Sequence, residues 1–220
     1  MANFKDSPLF QIHDDYYTPK SAWSDISNII KRKGHKNIFE AFMLNSNEQS
    51  KKYLEELDFN VLGNKNIDFL NEETYTTDIK NKNYDLIVSN PPFEKIKSFS
   101  KRNDSLKYKC IEKLIRNDKP FIIILNSTNI HSKWFQFLVK DIQQNIQFIY
   151  PTKKINYDKY EKGGINKIYT KSEYLKKINK KLKELTTEEK GIYNKSLNKN
   201  VASFNSIYVC YKVIENNMWI

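Results

Sequence analysis

The sequence predicts a doubly wound α/β fold, a mainly parallel, Rossmann-like sheet with helices on both faces and an antiparallel edge. Three observations predict it. Short runs such as Tyr84-Asp85-Leu86-Ile87-Val88 and Phe121-Ile122-Ile123-Ile124-Leu125 are almost continuously apolar, as strands buried on both faces must be. Segments with apolar residues at helical spacing alternate with those runs, the order of a βαβ chain. Turn words such as Asn90-Pro91-Pro92 stop the runs abruptly. At 220 residues the expectation is one domain spanning 1–220, with an insertion at about 158–200.

Taken in order, Thr18-Pro19 opens a helix over Ser21 to Lys33, with Ala22, Trp23, Ile26, Ile29 and Ile30 on one side. Asn37 to Phe42 reads as a strand. Ser46 or Asn47 is placed to cap a helix reaching about Leu57, with Tyr53, Leu54 and Leu57 inward. Phe59 to Leu62 is a second short strand, closed by Gly63. After the Tyr84 to Val88 strand, Leu106 to Arg116 is helical, Pro120 to Asn126 is the most hydrophobic strand, and Trp134 to Ile142 is helical again. Ile146 to Tyr150 and Asn205 to Val213 are late strands that could supply the antiparallel edge. Between them Lys153 to Asn200 is rich in Lys, Tyr and Asn and includes a basic helix candidate from Lys171 to Leu185.

Lys and Arg number 37 against 26 Asp and Glu, a net charge of +11, with pI near 9.3 and mean hydropathy −0.71. This excess favours a polyanionic partner, nucleic acid first. With 39% hydrophobic and 14% aromatic residues, the chain has the means to build a core, which excludes disorder for most of it. Cys110 and Cys210 lie far apart, without a second Cys or His at ligand spacing, so neither a disulfide scaffold nor a metal site is expected. His13, His35 and His131 are scattered and suggest no triad or metal. The run Phe121 to Leu125 is far short of the ~20 residues that span a bilayer, and Met1 to Phe10 lacks a signal pattern. The expectation is a soluble intracellular protein (cytoplasm, nucleus or a virus-infected cell) with no membrane partner.

The most informative word is Asn90-Pro91-Pro92-Phe93 at the end of a buried strand. Open α/β sheets bind ligands at that edge. Two acceptors, the Asn90 side-chain oxygen and the Pro91 carbonyl, suit the two N–H groups of an exocyclic amine, and Phe93 suits stacking on an extruded base.

This word resembles the (Asp/Asn/Ser)-Pro-Pro-(Tyr/Phe) motif of the amino-methyltransferases, in the Asn form of the N6-adenine branch of the S-adenosylmethionine-dependent enzymes. Asp15-Tyr16-Tyr17-Thr18-Pro19-Lys20 is similar to the family's N-terminal Tyr-Thr-Pro segment, and Ile67-Asp68-Phe69-Leu70 to its Asp-Phe segment, in the family's order within the first hundred residues. The resemblance covers most of the chain apart from Asp158 to Asn200, and is nearest the small adenine-specific enzymes of phage, large DNA viruses and some microbial eukaryotes. It implies a class I methyltransferase fold and S-adenosylmethionine as cofactor. It implies a catalytic word at Asn90, Pro91, Pro92 and Phe93, and a cofactor site lined by Tyr17, Thr18, Pro19, Glu40, Phe42, Asp68 and Phe69. No metal is implied, because the sulfonium is itself an activated donor.

The chain departs from this family in two places. Where the family has Glu-Pro-Phe-x-Gly-x-Gly, this chain reads Glu40-Ala41-Phe42-Met43-Leu44-Asn45-Ser46, so Leu44 and Ser46 stand at the glycine positions. Glycine there permits positive φ and close approach to the cofactor. After Leu62 the acidic residue that would hold the ribose hydroxyls is missing, and Gly63-Asn64 takes its place. A methyltransferase-like protein that has lost the cofactor, binding nucleic acid or a partner subunit, and a basic assembly protein therefore remain as alternatives.

Lys153, Lys154, Lys159, Lys162, Lys167 and Lys171, interleaved with Tyr157, Tyr160, Tyr169 and Tyr174, form the expected nucleic-acid contact. The expected partner is nucleic acid, DNA ahead of RNA, with a protein partner or a homo-oligomer also open.

Overall fold

The computed structural model describes residues 16–43, 48–64, 66–80, 82–92, 106–161, 164–166, 175, 179–187, 190 and 205–220. Five α-helices and ten strands appear among them: β1 (Tyr16–Tyr17), α1 (Lys20–Arg32), β2 (Asn37–Phe39), α2 (Gln49–Glu55), β3 (Asn60–Leu62), α3 (Glu72–Asp78), β4 (Leu86–Ser89), α4 (Leu106–Asn117), β5 (Phe121–Asn126), α5 (Lys133–Val139), β6 (Ile146–Tyr150), β7 (Asp158–Glu161), β8 (Gly164–Asn166), β9 (Ser206–Tyr211) and β10 (Met218–Trp219). No helix among the described residues is long and apolar enough to cross a membrane.

Seven strands form the main sheet in the order β10-β6-β9-β5-β4-β2-β3. Every neighbouring pair is parallel except those made by β9, which runs antiparallel to both β5 and β6. The fold is thus Rossmann-like α/β, as expected. The antiparallel strand, however, is interior and not an edge, because β9 inserts between β5 and β6 and the edge beyond β6 is closed by the two-residue β10.

Alternation along each strand explains the continuous apolar runs. Leu86, Val88, Ile122 and Ile124 face a cluster built with Trp23, Ile26 and Ile30 of α1 and Leu54 of α2. Ile87, Phe121, Ile123 and Leu125 face a second cluster built with Cys110, Ile111 and Leu114 of α4 and Phe135 and Val139 of α5. A strand whose neighbours are helices on both sides has no face left for polar residues. Cys110 and Cys210 are buried and form no disulfide, and they lie in opposite clusters.

Local capping sets several boundaries. Ser132 accepts from Phe135 N–H at 3.4 Å and starts α5, and Asn126 accepts from Thr128 N–H at 3.0 Å where β5 turns into a 3₁₀ turn over Ser127–His131. Helix α5 ends at Val139, earlier than Ile142. The cap expected at Ser46 or Asn47 lies outside the described residues. The basic helix expected over Lys171 to Leu185 does not run through: Asn179 takes φ +50°, and Leu182–Glu184 is only a 3₁₀ turn. Strands β7 and β8 form a hairpin in the same Lys-rich segment, and β7 pairs antiparallel with β1, Tyr17 opposite Asp158.

Candidate active site

Strand β2 has β3 on one side and β4 on the other. The chain passes from β2 outward to β3, then crosses back over β2 to reach β4, so the topological switch point lies between β2 and β4. A crevice opens at the carboxyl ends of strands where connections diverge. The residues leaving those two strands are Glu40 to Met43 and Asn90 to Pro92.

Asn90 is held by a residue 72 positions away. Its Nδ2 donates to Thr18 Oγ1 at 3.0 Å, and Thr18 is 3% exposed in the short link between β1 and α1. Pro19 stands at the N-cap with φ −69° and accepts from Ala22 N–H at 3.0 Å. Asn90 Oδ1 is buried and has no hydrogen-bond partner among the described residues. Leaving a buried acceptor unsatisfied costs roughly 1–3 kcal/mol, so the fold holds a directed acceptor ready at the end of β4. Pro91 and Pro92 are buried behind it. Phe93 lies outside the described residues.

On the β2 side, Glu40 is buried and forms a short hydrogen bond with the Ser89 hydroxyl. Phe42 N–H is directed at both, 3.3 Å from Glu40 Oε1 and 3.1 Å from Ser89 Oγ. Burial pushes the Glu40 carboxyl up to about 7, against the opposing effect of the Ser89 and Phe42 donors. The carboxyl is therefore protonated at higher pH than a solvent-exposed glutamate. Ser89, adjacent to Asn90, is a site residue that sequence reasoning missed; its signal was a hydroxyl closing an otherwise apolar strand. Leu44 and Ser46, at the glycine positions, lie outside the described residues.

Asp68 is half-buried in the turn that leads to α3, and Leu70 N–H donates to its Oδ1 at 2.9 Å. Desolvation pushes its carboxyl up, opposed by Leu70, Asn71 and the charge of Lys113. Phe69 is 1% exposed, packed 5.8 Å from Phe39 and edge-on to Phe42 at 5.5 Å. The Phe69 ring is thereby an anchor in the core that fixes Asp68 and Phe42 relative to one another. At the end of β3, Gly63 takes φ +110°, and a Cβ there would sit 2.6 Å from the Glu40 carbonyl and 2.7 Å from Met43 Cε. Lys51 Nζ donates to the Gly63 carbonyl at 3.2 Å. A lysine and the exposed Asn64 thus occupy the place of the missing acidic residue.

No family model matches the chain. No curated protein matches it either. Among solved structures, a Listeria monocytogenes protein provisionally described as a class I S-adenosylmethionine-dependent methyltransferase is similar at a TM-score of 0.41 and 14% identity, over 65% of this chain. The alignment spans 58% of that protein's own chain. The fold therefore rests on the strand order and crossovers of this chain itself.

Of the residues expected in the site, Tyr17, Thr18, Pro19, Glu40, Phe42, Asp68, Phe69, Asn90, Pro91 and Pro92 are described. Hydrogen bonds join Thr18 to Asn90 and Glu40 to Phe42, and ring packing joins Phe42 to Phe69. Tyr17 is half-buried. Lys153 and Lys154 are exposed just past β6. Lys159 lies on β7, opposite Tyr16. Lys162, Lys167 and Lys171 lie outside the described residues.

Proposed function

We propose that this chain is an S-adenosylmethionine-dependent methyltransferase acting on the N6 amino group of adenine in DNA. The observation that carries the reading is the buried, unpartnered Oδ1 of Asn90 at the topological switch point. An exocyclic amine conjugated to a purine ring is a weak nucleophile. Asn90 Oδ1 and the Pro91 carbonyl would each accept one of its N–H groups, drawing the nitrogen toward a tetrahedral shape and orienting its lone pair along a fixed line. Thr18 accepts from the amide nitrogen, which fixes the direction of the oxygen. Phe93 would stack on the extruded base.

The residues on the β2 side fit the proposed cofactor. Asp68 offers a half-buried carboxylate to an adenine amino group, and the close contact at Gly63 leaves the turn after β3 flush against Glu40. The Glu40 and Ser89 pair ties the Phe42 backbone to the end of β4, setting the distance between the cofactor side and the amine side. S-adenosylmethionine, when bound, supplies an activated methyl group. A net charge of +11 suits a DNA substrate.

The test is calorimetric titration with S-adenosylmethionine and S-adenosylhomocysteine, followed by mass-spectrometric measurement of N6-methyladenine in treated DNA. Micromolar binding, and methylation abolished by Asn90→Ala in a folded protein, is the expected result. No binding at millimolar cofactor overturns the reading.

A further inference from the structure

Away from the switch point, the same edge of the sheet carries an aromatic stack that the proposed chemistry does not use. Tyr150 ends β6 and pairs with Trp219 of β10 in a parallel register. Their rings stack with centroids 4.8 Å apart and planes 30° apart, and Phe148 lies 6.3 Å from Tyr150. Trp219 is 72% exposed. Because β10 is the last strand of the sheet, the Trp219 face turned away from Tyr150 looks toward the open edge. Among the described residues, Tyr150 is the ring stacked on Trp219.

Two features bear on what would cover it. Lys153 and Lys154 follow Tyr150 within four residues and are exposed, and the charge of Lys153 also acts on the exposed carboxyl of Asp25 on α1. Aromatic rings beside lysines suit nucleotides, whose bases stack while phosphates meet the cations. Direction is the second feature. Strands β4, β6 and β10 run parallel, so Trp219 and Asn90 sit at the same carboxyl edge. Four strand spacings separate them, about 19 Å, a span of a few nucleotides.

We propose that Trp219, backed by Tyr150, is a stacking platform for a base a few nucleotides from the target in a single-stranded or locally opened stretch of nucleic acid, with Lys153 and Lys154 on the neighbouring phosphates. The proposal rests on the methyltransferase reading for the identity of the target. In fully paired duplex the bases are already stacked on each other, so the platform selects opened strands.

Tryptophan fluorescence and anisotropy titrations of the full chain with a single-stranded oligonucleotide of about a dozen residues, without cofactor, test it. Trp219→Ala should weaken binding roughly 5- to 100-fold, and Trp219→Phe should restore most of the loss. An abasic oligonucleotide of equal length should bind the unsubstituted protein and Trp219→Ala alike. Lys153→Ala with Lys154→Ala should flatten the salt dependence, which Trp219→Ala leaves unchanged. Equal binding of the intact oligonucleotide by Trp219→Ala, or an equal loss on the abasic strand, overturns the platform and leaves the ring to a protein contact. If the unsubstituted protein binds no S-adenosylmethionine and transfers no methyl group, the methyltransferase reading fails, while oligonucleotide binding that Trp219→Ala weakens leaves the platform standing.

Discussion

Asn90 and Thr18 meet through a single hydrogen bond, Asn90 Nδ2 to Thr18 Oγ1 at 3.0 Å, which ties the end of β4 to the link before α1. Neither residue alone makes an acceptor site. Together they turn a flexible amide into one whose free oxygen has a defined direction.

Thr18→Val keeps the shape of the side chain and removes the hydroxyl. It leaves a half-buried Asn90 donor without its partner, so the protein should lose about 1 kcal/mol of stability. Methyl transfer should fall at least tenfold in kcat with little change in cofactor affinity. Thr18→Ser should recover most of both. Thermal melting and single-turnover transfer would separate these effects, and an unchanged kcat in Thr18→Val would remove Thr18 from the positioning role.

Glu40 predicts a dependence of stability on pH. Its carboxyl is pushed from the ordinary 4.5 up to about 7 in the folded chain. Between those values the folded state binds more protons than the unfolded state, so stability falls as pH rises through this window. The full difference is about 3 kcal/mol. Denaturant melts from pH 5 to 8 should show this decline, and Glu40→Gln, which keeps an acceptor for Ser89, should flatten it.

Gly63→Ala puts a methyl group 2.6 Å from the Glu40 carbonyl at φ +110°. Overpacking and backbone strain together should cost roughly 2–6 kcal/mol. The cost should appear in the free energy of urea unfolding, whereas Asn64→Ala, which removes only an exposed acceptor of Asn66 N–H, should cost about 1 kcal/mol or less.

Asp68 and Phe69 are neighbours with opposite expected phenotypes. Phe69→Ala opens the core between Phe39 and Phe42 and should cost roughly 3–5 kcal/mol. Asp68→Asn is nearly isosteric and should leave the melting temperature within a few degrees while weakening S-adenosylmethionine binding about tenfold in calorimetry. Unweakened binding would take Asp68 out of the cofactor site.

Much of this architecture was legible in the chain itself. Ala22, Trp23, Ile26, Ile29 and Ile30 define α1 because burial of one helix stripe demands that spacing, and all five are buried. The runs at Leu86 and Phe121 announced strands covered on both faces. Helix α3 and strands β1, β7, β8 and β10 carried no comparable signal. They are two to seven residues long, too short for a period to declare itself, and their pairing partners lie far along the chain. The hydroxyl of Ser89 was likewise invisible as a site residue until Glu40 was seen across from it.

The sequence by itself determined the long amphipathic helices and the buried central strands, and that Asn90-Pro91-Pro92 ends one of those strands, because periodicity, apolar runs and proline geometry act over a few neighbouring residues. Only the tertiary structure decided that β9 enters between β5 and β6, that Thr18 holds Asn90, and that Glu40 is kept dry beside Ser89. Those outcomes depend on which distant surfaces bury one another, and on the loss of water when they do, which no local pattern encodes.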